Sequence, residues 1–188
     1  MNKSKWLIIL LLFLVNILDV FTTYKAEATL KTETSPIISW FKLGWNHLWI
    51  YKFLISAIVA IIFLNINNSR LAEKERKYAK YIHNFHDYLS YIFVDKQMNF
   101  WKVLNNNKFD LKIFFSLFFQ MLPISMIIMM LLASINNILT IYNISIFKEI
   151  PTQNVIHIIS LFNFFLLLFL IFVFLYKRYK QLIKNARP

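Results

Sequence analysis

The chain has 188 residues, 59% of them hydrophobic and 18% aromatic, with 21 Lys/Arg against 9 Asp/Glu and a formal charge of +12. Soluble domains are about 45–50% apolar, so a mean hydropathy of +0.54 excludes that class and indicates an integral membrane protein. Cysteine is absent, which removes disulfide frameworks and thiolate metal sites.

Crossing a hydrocarbon core of roughly 30 Å takes about 20 helical residues, and four stretches qualify, at about 6–24, 47–66, 113–142 and 157–176. In the first, Lys3 and Lys5, an apolar run and Ala26-Glu27-Ala28 imitate a cleavable signal peptide. The run is long, however, and contains Asn16 and Asp19, so a retained helix is expected. At about 1.5 Å per residue, Asp19 lies some 20 Å from Trp6, in the outer leaflet. Asn16, Asp19 and Thr23 occupy i, i+3 and i+7 with Thr22 beside them, so they share one face. A charge at mid-membrane costs about 2.5–3.5 kcal/mol even on lenient scales, and that face is expected to turn toward protein.

The second span carries Lys52 near its outer start. Beyond it, the segment 70–104 repeats Leu71, Tyr78, Phe85 and Ile92 every seven residues, flanked by Ile82 and Leu89, with Glu73 four residues before Lys77. This pattern predicts one amphipathic helix at the inner side of the membrane, with Trp101 as interfacial anchor. His83, His86 and Asp87 on it stand at i, i+3 and i+4, a spacing that can gather metal ligands but more often marks interfacial polar residues, so neither metal nor cofactor is predicted. Asn105 to Asp110 reads as a turn.

The third span is long and contains Pro123, which removes an amide donor and favours a kink; Asn136, Asn137 and Thr140 lie toward its outer end. The fourth, the most purely apolar, has His157 and Ser160 at its outer start and leads into a basic tail, 177–188. Of the Lys/Arg residues, only Lys25, Lys31, Lys42, Lys52 and Lys148 fall on the side opposite the N-terminus, the middle segment and the tail. The positive-inside rule therefore predicts an all-α protein with four spans in one membrane domain, 1–188, and both termini on the cytoplasmic, matrix or stromal side. The basic segments meet anionic lipid headgroups most simply, at about 1 kcal/mol per residue; no nucleic-acid motif accompanies them.

All four spans place polar groups in their outer halves, so a buried cluster is expected, with Asp19 and Lys52 as its charge pair and Asn16, Thr22, Thr23, Asn136, Asn137, Thr140 and His157 around it. The bland alternative for most of these is ordinary interhelical hydrogen bonding, about 0.6–2 kcal/mol each.

Asn16-x-x-Asp19-x-x-Thr22-Thr23, then Glu33-x-Ser35-Pro36, then Leu48-Trp49-x-x-Lys52 resembles a small prokaryotic integral membrane family known only as a domain of unknown function. Its first two spans bear an N-x-x-D-x-x-T pattern, a connecting E-x-N-P and a lysine early in the second helix. The resemblance covers residues 6–64 and departs at Ser35, where the family tends to have Asn; Ser35 can still cap a short helix begun by Pro36. It singles out residues without naming a reaction.

No catalytic signature occurs. The reading that follows is a non-catalytic accessory or structural subunit of a larger membrane complex, with other membrane subunits as partners. The alternatives are a small transporter or ion-handling protein using the cluster and, more weakly, a membrane hydrolase or transferase with Asp19 or Glu33 as general base.

Overall fold

The computed structural model describes residues 3–26, 44–104, 106–142 and 152–186. All regular structure among them is helical: α1 (Lys3–Ala26), α2 (Trp45–Asn65), α3 (Ser69–Tyr78), a 3-10 turn (Ala79–Tyr81), α4 (Phe85–Val94), α5 (Phe100–Leu104), α6 (Leu111–Ile141) and α7 (Thr152–Ala186). α1, α2, α6 and α7 contain the four stretches long and apolar enough to cross a membrane. They coincide with the predicted spans, and α7 continues as helix through most of the basic tail. The chain divides into two compact units, Met1–Leu64 with Leu122–Leu167, and Asn65–Met121 with Leu168–Pro188.

In the first unit, α1 buries Ile9, Leu12, Asn16, Asp19 and Thr23, a stripe spaced alternately by three and four residues. The apolar and polar members belong to one helix face, so the polar groups are carried inward by the same geometry that buries the leucines. Against it α2 turns Leu48, Ser56, Ala60 and Phe63, where the small side chains of Ser56 and Ala60 allow close approach. Ile9, Ala60 and Phe63 form one core cluster, and Val20 and Leu48 another flanked by Trp45 and Trp49. Lys5 Nζ donates to the carbonyls of Phe63 and Leu64 at 3.0 and 3.2 Å. These carbonyls belong to the last turn of α2, so the ammonium satisfies groups that lack intrahelical donors and sits at the negative end of the helix dipole. α6 is continuous through Pro123, and Ser125 Oγ donates to Asn163 Oδ1 of α7.

In the second unit, the segment predicted as one amphipathic helix is instead three helices and a 3-10 turn. Its stripe is nonetheless buried at Leu71, Tyr78, Ile82, Leu89 and Ile92. The break has a local cause. Ile82 is extended, and the Asn84 side chain accepts the Asp87 amide at 2.8 Å, starting a new helix. Asp87 Oδ2 in turn accepts the His83 amide at 3.3 Å, a reciprocal arrangement close to a capping box. Asp95 ends α4 in the left-handed region at φ 62°, a conformation in which Asp is among the better tolerated side chains. The expected turn before α6 is present: Asn106 O accepts the Phe109 amide at 2.9 Å. Phe93 and Phe109 stack with centroids 4.8 Å apart, and Phe85 meets Phe172 and Tyr176 edge-on.

Candidate functional site

The polar stripe of α1 is the first candidate. Asn16 Nδ2 donates to Lys52 O at 2.9 Å and to Ser56 Oγ at 2.8 Å. One turn further along α1, Lys52 Nζ lies 2.5 Å from Asp19 Oδ2 with both side chains nearly buried. A carboxylate and an ammonium in so apolar a setting are each stable only in company. Thr22 and Thr23 direct their hydroxyls back to the Asp19 carbonyl at 3.1 and 2.8 Å, the local bond that lets a β-branched hydroxyl reside within an apolar helix. Asn137 Nδ2 of α6 then donates to Thr23 Oγ1 at 2.9 Å and to Thr22 Oγ1 at 3.4 Å. Three helices thus meet around one ion pair.

Asn16, Asp19, Thr22, Thr23, Lys52 and Asn137 come together in this way. Asn136 is half-buried with Oδ1 shielded and lacking a partner, while Thr140 is exposed and donates to its own helix at Asn136 O. Ser160 is exposed. The His157 side chain and the loop motif Glu33, Ser35 and Pro36 lie outside the described residues. Ser56, a member of the cluster, was not anticipated; its position one turn after Lys52 was the available signal. Asn163 was likewise passed over, being an isolated amide in an otherwise apolar run.

Chemically, the cluster can hold a charge pair and bind a small polar species at an amide oxygen. Asn16 Oδ1 is fully buried and, like Asn136 Oδ1, accepts no hydrogen bond. The Thr22 and Thr23 hydroxyls beside Asp19 point to its backbone carbonyl.

The second unit contains a denser set of charges. Glu75, buried, accepts Tyr88 Oη at 2.7 Å and both Nε and Nη2 of Arg178. Burial raises the Tyr88 hydroxyl above its ordinary value of 10.0, and the Glu75 charge raises it further. Lys74 Nζ donates to Ile92 O at 2.9 Å and contacts the carboxylates of Asp95 and Asp110, each at 3.1 Å. Asp110 also takes Arg70 Nε at 2.9 Å, and its Oδ1 caps α6 at the Ile113 amide, 3.2 Å away. Burial alone would raise the Asp110 carboxyl, but the bonds from Lys74, the Ile113 amide and Arg70 prevail and hold it below 3.8.

Asp87 accepts the His83 amide and Gln97 Nε2, the latter at 2.9 Å, and His83 is exposed. Among the described residues no three His, Asp or Glu side chains are grouped as metal ligands.

Among the described residues, these features define an all-helical protein with four helices fit to cross a membrane, the Asp19–Lys52 ion pair in the apolar unit and a charged, aromatic second unit. No family model matches the chain, and neither the curated proteins nor the solved structures contain a match to it.

Proposed function

We propose that this is a multi-pass membrane protein serving as a non-catalytic accessory or structural subunit of a larger membrane complex, with both termini and the segment 70–104 on the cytoplasmic, matrix or stromal side. The supporting observation is how little of each spanning helix the chain itself covers: the most apolar windows of α1, α2, α6 and α7 are 39%, 22%, 22% and 17% buried. The uncovered faces carry large side chains such as Phe162, Phe165 and Phe169, and helices associate in lipid through packing and hydrogen bonds between neighbours, not through the hydrophobic effect. The ionisable groups of both units support the same reading, since they bind one another across helices and so hold structure together. The motif resemblance in α1 and α2 is part of this proposal and extends to residues, not to an activity.

Extraction in mild detergent followed by native mass measurement tests the subunit role: a species heavier than the 22.7 kDa chain with defined co-purifying membrane proteins is expected. A bare monomer in both detergent and lipid nanodiscs would defeat it. Sidedness is testable separately, because the chain lacks cysteine and single introduced thiols report cleanly; Asn106→Cys and Lys184→Cys should label only from the inner side.

A second reading, a small ion-handling protein, draws on the two buried amide oxygens without partners, Asn16 Oδ1 and Asn136 Oδ1. Flux in proteoliposomes that disappears with Asp19→Asn and with Lys52→Met, while both variants remain folded, would favour it. Flux unchanged by either would remove it.

A further inference from the structure

Two cavities in the second unit, of about 130 and 280 Å³, share Arg70 and Lys112 in their walls. The smaller is also lined by Asn67, Ser116, Ile113 and Leu117, and the larger by Lys108, Asp95 and Asp110. Arg70 is held by Asp110 through one edge of its guanidinium, yet its side chain is 54% exposed. Lys108 and Lys112 make no ion pair among the described residues. Those two carboxylates, Asp95 and Asp110, are already engaged by Lys74, so with Arg70, Lys108 and Lys112 counted the local surplus is positive. On the same helix, next to Lys112 and Ser116, Leu111 and Phe115 are 58% and 50% exposed. Cationic donors therefore stand beside bare apolar side chains at the start of a helix fit to enter a membrane. That is the surface an anionic head on an apolar tail requires.

We propose that the cavities walled by Arg70 and Lys112 bind the phosphate of an anionic phospholipid, with Lys108 as a further donor and Leu111 and Phe115 against the acyl chain. A guanidinium fork suits a phosphate through paired donors, and the two ammonium groups add charge without demanding geometry. This goes beyond the subunit reading and does not depend on it. It also differs from a diffuse attraction between a basic segment and a charged surface, because the residues involved are few and named.

The test uses the full chain in phosphatidylcholine nanodiscs, doped with phosphatidylglycerol or supplied with inorganic phosphate, and reads lipid retention by native mass spectrometry alongside the shift in Tm. Phosphatidylglycerol should be retained and should raise Tm, whereas inorganic phosphate should do neither. Lys108→Gln with Lys112→Gln, two side chains outside the ion-pair network, should weaken retention by about 30-fold, taking about fivefold for each charge. Lys96→Gln with Lys102→Gln removes the same charge from exposed positions that line neither cavity and should weaken it much less. Equal losses in the two double variants would overturn the site in favour of a diffuse field. Stabilisation by inorganic phosphate to the same extent would overturn the lipid assignment, and no preference for phosphatidylglycerol over phosphatidylcholine would overturn the proposal altogether.

Discussion

The two units solve the same problem, burying charge, in different ways. In the first, the Asp19 carboxylate meets the Lys52 ammonium between α1 and α2, and the surrounding Asn and Thr groups attach mainly to hydroxyls or backbone carbonyls. In the second, Lys74 spans two carboxylates, Asp110 collects two cations and a helix amide, and Glu75 joins Arg178 to a tyrosine. Where the surroundings are nearly all apolar, a buried charge that loses its ion partner is costly to keep. Where several charges and a tyrosine are linked, the network shares the loss. The comparison predicts that one substitution in the first unit outweighs a similar one in the second.

Lys52→Met should therefore have the largest effect, about 3–5 kcal/mol of destabilisation from removing the cation paired with the buried Asp19 carboxylate, measured by denaturant titration of the purified protein. Adding Asp19→Asn should restore most of it, and a double variant as unstable as the single would refute the pair's role. Arg178→Met should cost less, about 2 kcal/mol, because Glu75 keeps Tyr88 and the Arg178 side chain is 34% exposed. Equal costs at the two sites would erase the contrast between the units.

The effect of pH should separate the units further. Asp110 is held below 3.8 in the folded state, so its contribution is complete above that value and is lost as the pH falls below it. Thermal stabilities of the parent and Asp110→Asn should thus converge on acidification. Tyr88 is displaced the other way, above 10.0; its contribution is present below that pH and declines above it, and Tyr88→Phe should flatten the alkaline limb. The smallest effect belongs to Asn137→Leu, about 0.6 kcal/mol, the usual size of an interhelical hydrogen bond in a membrane protein.

How much of this was legible beforehand varies from residue to residue. The 3-4 spacing of Asn16, Asp19 and Thr23 sufficed to place them on a common face, and depth along the helix sufficed to name Lys52. Nothing local distinguishes Asn137 from Asn136, adjacent amides of which only the first donates to the threonine hydroxyls. The heptad stripe of 70–104 suggests one amphipathic helix where the structure has three, because apolar periodicity continues in phase across the break while the Asn84–Asp87 cap that makes it depends on two polar side chains. The division into units was invisible, since its boundaries in α6 and α7 fall inside uninterrupted apolar helices.

Apolar runs of membrane-spanning length and helical periodicity determined the helical class, the four long elements and the inward face of α1, because those properties follow from solvation and from the pitch of a helix acting on neighbouring residues. Tertiary structure alone decided that Glu75 would be joined to Arg178 and Lys74 to Asp110, and that Arg70 and Lys112 would share two cavities. Such pairings depend on which helices come side by side, and a charge carries no local mark of the partner it will meet far along the chain.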